Sequence, residues 1–347
     1  MRVVASASTD DALGSVEFVN FDKFDSISRI MTIKATSDLP GRKDAGVVTD
    51  ARRSGAFGQL LADRWALTGG AVAVGFALLA LLAPLLSQIS GNNPYTYHLT
   101  ALTESGLPKG PFGGVSTAHW LGVEPQTGRD LFAIVAYGAR ISLLVGVGAT
   151  LLATLIGTGL GVFAGYRGGL VDTLLSRFTD LTIAFPQLIF MIALGTFVPA
   201  SFPRQFFMIA VIGAFGWPSV ARVVRGQTMA LRNRSFVVAA RSVGASPLHI
   251  LRTEILPNLA STITVIATMS IPGAIGTEAA LSFLGIGVPP PTPSWGREIS
   301  SAIAWVSVDP WYLAAPGLAL FLVTLALNAF GDGLRDALDP RMPGRLR

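Results

Sequence analysis

Cysteine is missing from all 347 residues, so the chain forms neither disulfides nor thiolate metal sites. Histidine is almost as scarce: His98, His119 and His249 are scattered, and no metal-ligand spacing can be assembled from them. Charge is thin as well. Asp, Glu, Lys and Arg supply 14% of the residues, against about 25% in an ordinary soluble domain. No G-x-x-x-x-G-K-[ST] phosphate loop occurs, which leaves no recognisable cradle for a nucleotide. Nor is there a nucleophile–base set or carboxylate pair in a stretch that reads as a soluble domain, so catalysis is not expected of this chain. No signal-peptide core is visible near the N-terminus.

What the chain has in quantity is apolar surface. Hydrophobic side chains make up 51% of it, which places it among multi-spanning membrane proteins. Six segments are long enough to cross roughly 30 Å of hydrocarbon at about 1.5 Å per residue. They are 65–87, 141–165, 174–198, 206–224, 259–286 and 311–331. Pro186 falls within the third, and Pro218, Pro272 and Pro316 lie inside or at the edge of others. Lipid tolerates such prolines where neighbouring helices re-satisfy the freed carbonyls. The expected fold class is therefore an all-α integral membrane protein of six transmembrane helices.

Arginine sets the orientation. Between the fourth and fifth spans stand Arg222, Arg225, Arg232, Arg234, Arg241 and Arg252, against Glu254 alone, and the C-terminus adds Arg335, Arg341, Arg345 and Arg347. The segment 88–140 has three basic residues, and 287–310 has only Arg297. Both termini and the 222–257 loop are thus expected in the cytoplasm, with 88–140 and 287–310 outside. The net charge of +5 is then a topology signal and not the footprint of a nucleic-acid partner. Five parts follow: a cytoplasmic, largely disordered tail at 1–60, a first transmembrane helix at 61–87, and an extracytoplasmic loop at 88–140. A core of five transmembrane helices at 141–335 and a cytoplasmic tail at 336–347 complete the chain. The N-terminal tail balances basic and acidic residues and has no apolar run, and Met31 is a second candidate start.

The stretch 236–257, FVVAARSVGASPLHILRTEILP, carries the functional argument. Phe236, Val237, Ala240 and Val243 are expected on one face of a short helix. Gly244 supplies a residue that takes positive φ at least cost. Ser246 is placed to cap a second helix whose first residue, Pro247, needs no amide partner. Leu248, Leu251 and Ile255 continue an apolar stripe, and Pro257 ends the segment. On shape alone, this describes equally a rigid projection for another protein to grip or an amphipathic helix pair lying flat in the interface.

Three other features stand out. Gly157, Gly161 and Gly165 recur at four-residue spacing, a smooth face for close helix packing. Glu278 is an acid late in the fifth span, where ionisable groups are expensive. It fits either a structural hydrogen bond to the following loop or a place on a transport pathway. Arg177 and Asp180 are three apart on one helix and are expected to pair.

The 236–257 segment resembles the EAA loop of binding-protein-dependent ABC importers. The matching residues are Ala239, Ala240, Gly244, Ile255, Leu256 and Pro257, and Val238 replaces the leading Glu of that motif. Further blocks are similar to those of C-type permease subunits of dipeptide and oligopeptide importers: HWLGVEPQTGRDLF, YGARISLLVG, GYRGGLVD, EAALSFLGIGVPPPTPSWG and NAFGDGLRDALDP, in that order. The likeness runs from Leu60 to Arg341. It implies a type I importer permease fold, with Ala239, Ala240, Arg241, Gly244, Ala245, Ser246, Pro247, Ile255 and Pro257 in a cytoplasmic loop that couples to an ATPase. It also implies the partners: a second homologous permease subunit, two ABC ATPase subunits that hold ATP and Mg, an extracytoplasmic substrate-binding protein, a peptide substrate and membrane lipid. No cofactor is expected in this chain, and the membrane the resemblance implies is the bacterial plasma membrane. The rival classes are an ion-coupled secondary transporter, which calls for intramembrane acids and broken helices at matched positions of two repeats, and a non-transporting membrane scaffold.

Overall fold

A computed structural model describes residues 56–199 and 201–338. The expectations for 1–55, for Met31 and for 339–347 lie outside those residues. The described chain is helical, with two isolated β-bridges in its loops. A short α1 (Ala56–Ala62) leads to α2 (Arg64–Ser90), where the Asp63 carboxylate accepts from the Trp65 and Ala66 amides. That satisfies two of the four donors a first turn leaves free. Gly91 ends α2 in the left-handed conformation.

The next helix, α3 (Leu131–Arg167), begins at Leu131, not at 141. Asp130 caps it by accepting from the Ala133 amide, and its first turns bury Leu131, Ile134, Val135 and Ala139 against protein. The 88–140 loop therefore ends at 130. At 37 residues the helix is roughly 55 Å long, well beyond the hydrocarbon thickness, so its ends stand outside it.

The expected third span is not one helix. It divides into α4 (Gly169–Ala184) and α5 (Gln187–Thr196), which bend by 79° at Phe185–Pro186. A proline has no amide to donate, and it pushes the residue before it out of the helical region; Phe185 is extended at ψ 139. Then come α6 (Arg204–Leu231), α7 (Ser235–Ser242), α8 (Pro247–Ile250), a widened turn at Leu251–Ile255, α9 (Leu256–Phe283), α10 (Trp295–Ala302) and α11 (Pro310–Leu338). Residues 336–338 thus belong to the last helix and not to the tail. By length and composition, five helical stretches are able to cross a membrane (α2, α3, α6, α8–α9 and α11), and the bent pair α4–α5 makes a sixth.

Close helix packing positions everything else. A Cβ on Gly157 would meet the Trp217 carbonyl at 2.7 Å, one on Gly161 the Ala221 carbonyl at 2.7 Å, and one on Gly165 the Arg225 carbonyl at 2.7 Å. At these three points the backbone of α6 lies where a larger residue on α3 would need to be. Three buried clusters follow along the bundle. One joins Leu131, Ile134, Trp295, Tyr312 and Val323 at the looped end. A central one gathers Val145, Met191, Met208 and Leu281. The third gathers Val162, Val220, Val224, Val237, Ile250, Ile255 and Leu259 at the 235–257 end. Asp180 does not pair with Arg177 as its spacing suggested. It accepts from Arg222 of α6 at 2.8 Å, while Arg225 grips Asp172, so α4 is tied across to α6 and not along its own face.

Candidate coupling corner and buried acid

The corner is built by backbone bonds that its sequence dictates. Gly244 sits at φ +84 with open space around it, so the demand there is conformational and not steric. The Gly244 amide donates to the Arg241 carbonyl at 3.1 Å and the Ala245 amide to the Ala240 carbonyl at 3.0 Å. This pair of bonds is the Schellman closure, which satisfies the last carbonyls of α7. Ser246 is extended and accepts through Oγ from the His249 amide at 3.3 Å, with Pro247 as the first residue of α8. Beyond Ile250 the helix widens, and the Leu256 amide donates to the Leu251 carbonyl five residues back. Pro257 follows within one residue. Its ring would clash with the carbonyl four residues earlier in a regular helix, and the wider turn relieves that.

One side of the corner is anchored. Val237, Ile250 and Ile255 are fully buried with Val224 of α6 and Leu259 of α9. Ala240 and Ala245 are half-buried at its edge, and the Arg241 guanidinium lies 5.9 Å from the Tyr166 ring of α3. The apolar stripes read from the sequence are out of phase at three positions, the first being Phe236, which is exposed. Val243 is 85% exposed and Leu248 55% exposed, and Ile250 takes the inward place assigned to Leu248. Val243 sits at the helix end, where the turn toward Gly244 swings it outward. Val238 and Ala239 are exposed too, and between these apolar side chains Arg241, Ser242, Gly244, Ser246, Pro247, His249, Arg252 and Pro257 are exposed as well.

Glu278 is fully buried in α9. One carboxylate oxygen accepts from Ser142 of α3 at 2.7 Å; the other accepts from Ser282 at 2.7 Å and from Ser294 of the following loop at 2.8 Å. Three hydroxyl donors thus tie two helices and a loop to one acid. The following-loop contact named in the sequence is there; the bond to Ser142, 136 residues away, had no local signal. Among the described residues, no group of His, Asp and Glu side chains is placed to hold a metal ion.

Residues 157–343 match the family described as binding-protein-dependent transport system inner membrane component. The chain is 38% identical over 287 residues to the dipeptide transport system permease protein DppC of Alkalihalophilus pseudofirmus, covering 83% of this chain and 89% of that one. It is 37% identical over 280 residues to the oligopeptide transport system permease protein OppC of Bacillus subtilis, covering 81% and 87%. It is 36% identical over 304 residues to the glutathione transport system permease protein GsiD of Pectobacterium atrosepticum, covering 88% and 95%. The chain belongs to this family. Among solved structures, an inward-facing methionine ABC transporter matches 59% of this chain and 96% of its own, at 18% identity and a TM-score of 0.49.

This inner membrane component also holds a buried ionic centre in its looped cap that no local residue spacing announces. Arg129 Nε donates to Glu124 at 2.6 Å, and its Nη2 donates to Glu124 at 3.0 Å and to Glu298 of α10 at 3.4 Å. The Tyr312 hydroxyl of α11 lies 2.6 Å from Glu124 and 3.0 Å from Glu298. Burial raises the Glu124 carboxyl, but the hydrogen bonds and charge of Arg129 outweigh it and hold Glu124 below its ordinary value. Burial and the neighbouring Glu124 charge both push Glu298 up. A phenol has one hydrogen to give. With that hydrogen on Glu124, the contact to Glu298 closes as a hydrogen bond when Glu298 carries a proton of its own. Nearby, Asp130 joins its cap role to contacts with His119 at 2.9 Å and Asn92 at 3.1 Å. Asp130 before an apolar run was a readable cap signal. The Glu124–Glu298 pairing, across distant sequence, was not.

Proposed function

We propose that this chain forms half of the membrane path of an ATP-driven importer of dipeptides or oligopeptides. A second, homologous permease subunit supplies the other half. Two ABC ATPase subunits hold ATP and Mg and dock on the 236–257 corner, and a substrate-binding protein delivers peptide to the cap. The chain itself catalyses nothing and carries no cofactor. It lies in the bacterial plasma membrane with both termini and the corner in the cytoplasm, as the arginine distribution requires.

One observation carries this reading: the corner is anchored by buried apolar side chains and leaves other large apolar side chains exposed. Val237, Ile250, Ile255 and Leu259 fasten it to α3, α6 and α9, while Val238, Val243 and Leu248 face outward. A push on the outer side is therefore passed to three helices as a body. Closure of the ATPases on ATP rocks those helices and exposes the path alternately to each side. Val238 replaces the acid of the EAA motif, so the surface that receives it is apolar at that point. In this account Glu278 is a structural tie: its hydrogen bonds hold α9, α3 and the 284–294 loop in one unit that moves together.

The test is ATP hydrolysis by the purified complex of this chain with its partner permease and ATPases. Hydrolysis is expected to rise when peptide-loaded binding protein is added. An intact complex whose hydrolysis does not respond would overturn the importer reading.

A further inference from the structure

Between α2 and α3, on the side toward the cap, an open groove of about 660 Å³ runs along the surface of the bundle. Leu81 of α2 and Leu144 and Val147 of α3 line it and are exposed, so its walls are apolar and accessible. Its cap-side end is polar. Tyr95 of the first loop, Tyr137 and Arg140 of α3, and Thr292 of the 284–294 loop meet there. The long apolar run of α3 begins at Ile141, which puts Arg140 at the edge of the hydrocarbon, at the depth of lipid phosphates.

Two observations separate this place from an ordinary lipid-facing seam. Arg140 is exposed, and among the described residues no carboxylate lies within ion-pair distance of it. Its guanidinium has the Tyr137 ring, 5.7 Å from the centroid, to hold it in place. Arg129, Arg222 and Arg225, by contrast, each hold an acid. A charge at the membrane edge is expensive without a partner, so a free arginine beside an open groove calls for an anion. The second observation is what surrounds it. No acidic side chain lines the groove, and Tyr95 meets Tyr137 edge to face with ring centroids 6.2 Å apart. Two phenols and a threonine thus add hydroxyl donors at the end where the cation stands.

A cation among hydroxyls, with no acid near, fits an oxyanion. A free phosphate would occupy the polar end and leave the apolar trough beyond it uncovered, whereas a phospholipid fills both. The ammonium of a zwitterionic headgroup would find no carboxylate here, and the hydroxyls of a glycerol headgroup would find partners. We propose that the groove holds one anionic phospholipid, its phosphate on Arg140 and its acyl chain between α2 and α3. The proposal needs only that the chain spans a membrane, and it stands apart from the importer reading.

The experiment places the complete complex in phosphatidylcholine nanodiscs that contain a small fraction of photoactivatable lipid, either phosphatidylglycerol or phosphatidylcholine with the same reactive acyl chain. After irradiation, labelled peptides are identified by mass spectrometry. Phosphatidylglycerol is expected to label residues 141–148 about fivefold more than phosphatidylcholine, the worth of one basic side chain beside an anionic lipid. Arg140→Gln is expected to abolish that preference, and Arg140→Lys to keep most of it, since a lysine still binds phosphate as a point charge. Leu144→Trp, which fills the groove from an exposed position, is expected to lower labelling by both lipids. Equal labelling of the unaltered complex by the two lipids, or a preference that survives Arg140→Gln, would overturn the proposal. So would exclusion of both lipids from 141–148 together with cross-linking of Leu144→Cys to the partner permease, which would make the groove a subunit contact.

Discussion

The two ends of this membrane component are held together by opposite means. At the corner end, Val237, Ile250, Ile255 and Leu259 form a dry apolar plug, and the polar work is done by local backbone bonds around Gly244 and Ser246. At the cap end, Arg129, Glu124, Glu298 and Tyr312 are buried together as an ionic cluster drawn from distant parts of the chain. The difference bears on how each end responds to stress. An apolar plug is indifferent to pH and lets the corner move as one piece. A buried ionic cluster fixes one geometry and is sensitive to the loss of any member, because a remaining charge is left without compensation.

That contrast is sharpest under substitution. Arg129→Met leaves two buried carboxyls facing each other, and we expect a loss of about 3–5 kcal/mol, read as a lower Tm of the purified complex in detergent. A Tm close to that of the parent would show that the cluster is solvated and not buried. The corner should respond differently. Gly244→Val forces a β-branched residue to positive φ at a cost of about 1–3 kcal/mol. The Tm should change little, because the strain is local. Stimulation of ATP hydrolysis by loaded binding protein should fall about tenfold, the equivalent of 1.4 kcal/mol, while membrane insertion survives. Full stimulation would mean that the corner tolerates another conformation.

The smallest effect concerns the proton on Glu298. Its carboxyl is raised above the ordinary value of 4.5, so the stability it contributes is fully present below that value and is lost as pH rises through the raised one. Gln mimics the protonated acid and does not titrate. Glu298→Gln should therefore match the parent in acid and become the more stable of the two toward neutral pH, by under about 4 °C in Tm. Glu124, held low, loses its contribution in acid instead, but it does so in both proteins and cancels from the difference. A difference that does not change with pH would contradict the proton placement.

The same contrast explains what was legible in the sequence. The corner could be read because each of its devices is local: a glycine for the left-handed residue, a serine cap, a proline at the first helical position. Its apolar phase was misread at Phe236, Val243 and Leu248 because an exposed hydrophobic surface looks, in a sequence, like a buried one. The extra turns of α3 were missed for a related reason. They are buried by protein and not by lipid, and a hydropathy reading ends where the long apolar run ends. The break at Pro186 was visible as a residue but not as a 79° bend, because a proline inside a span is compatible with a kink of any size. The pairs Asp180–Arg222, Glu278–Ser142 and Glu124–Tyr312 depend on the fold being complete, and no local spacing encodes them.

The central claim is that the outer side of the corner meets an ATPase. A chain without cysteine allows a direct test, since a single Val243→Cys substitution introduces the only thiol it contains, on a side chain that is 85% exposed. Labelled with a maleimide–benzophenone and irradiated in the assembled complex, this position is predicted to cross-link to the ATPase subunit, with a yield that changes between the nucleotide-free and ATP-bound states. Cross-linking to lipid alone, in a complex that still contains its ATPases, would contradict the account.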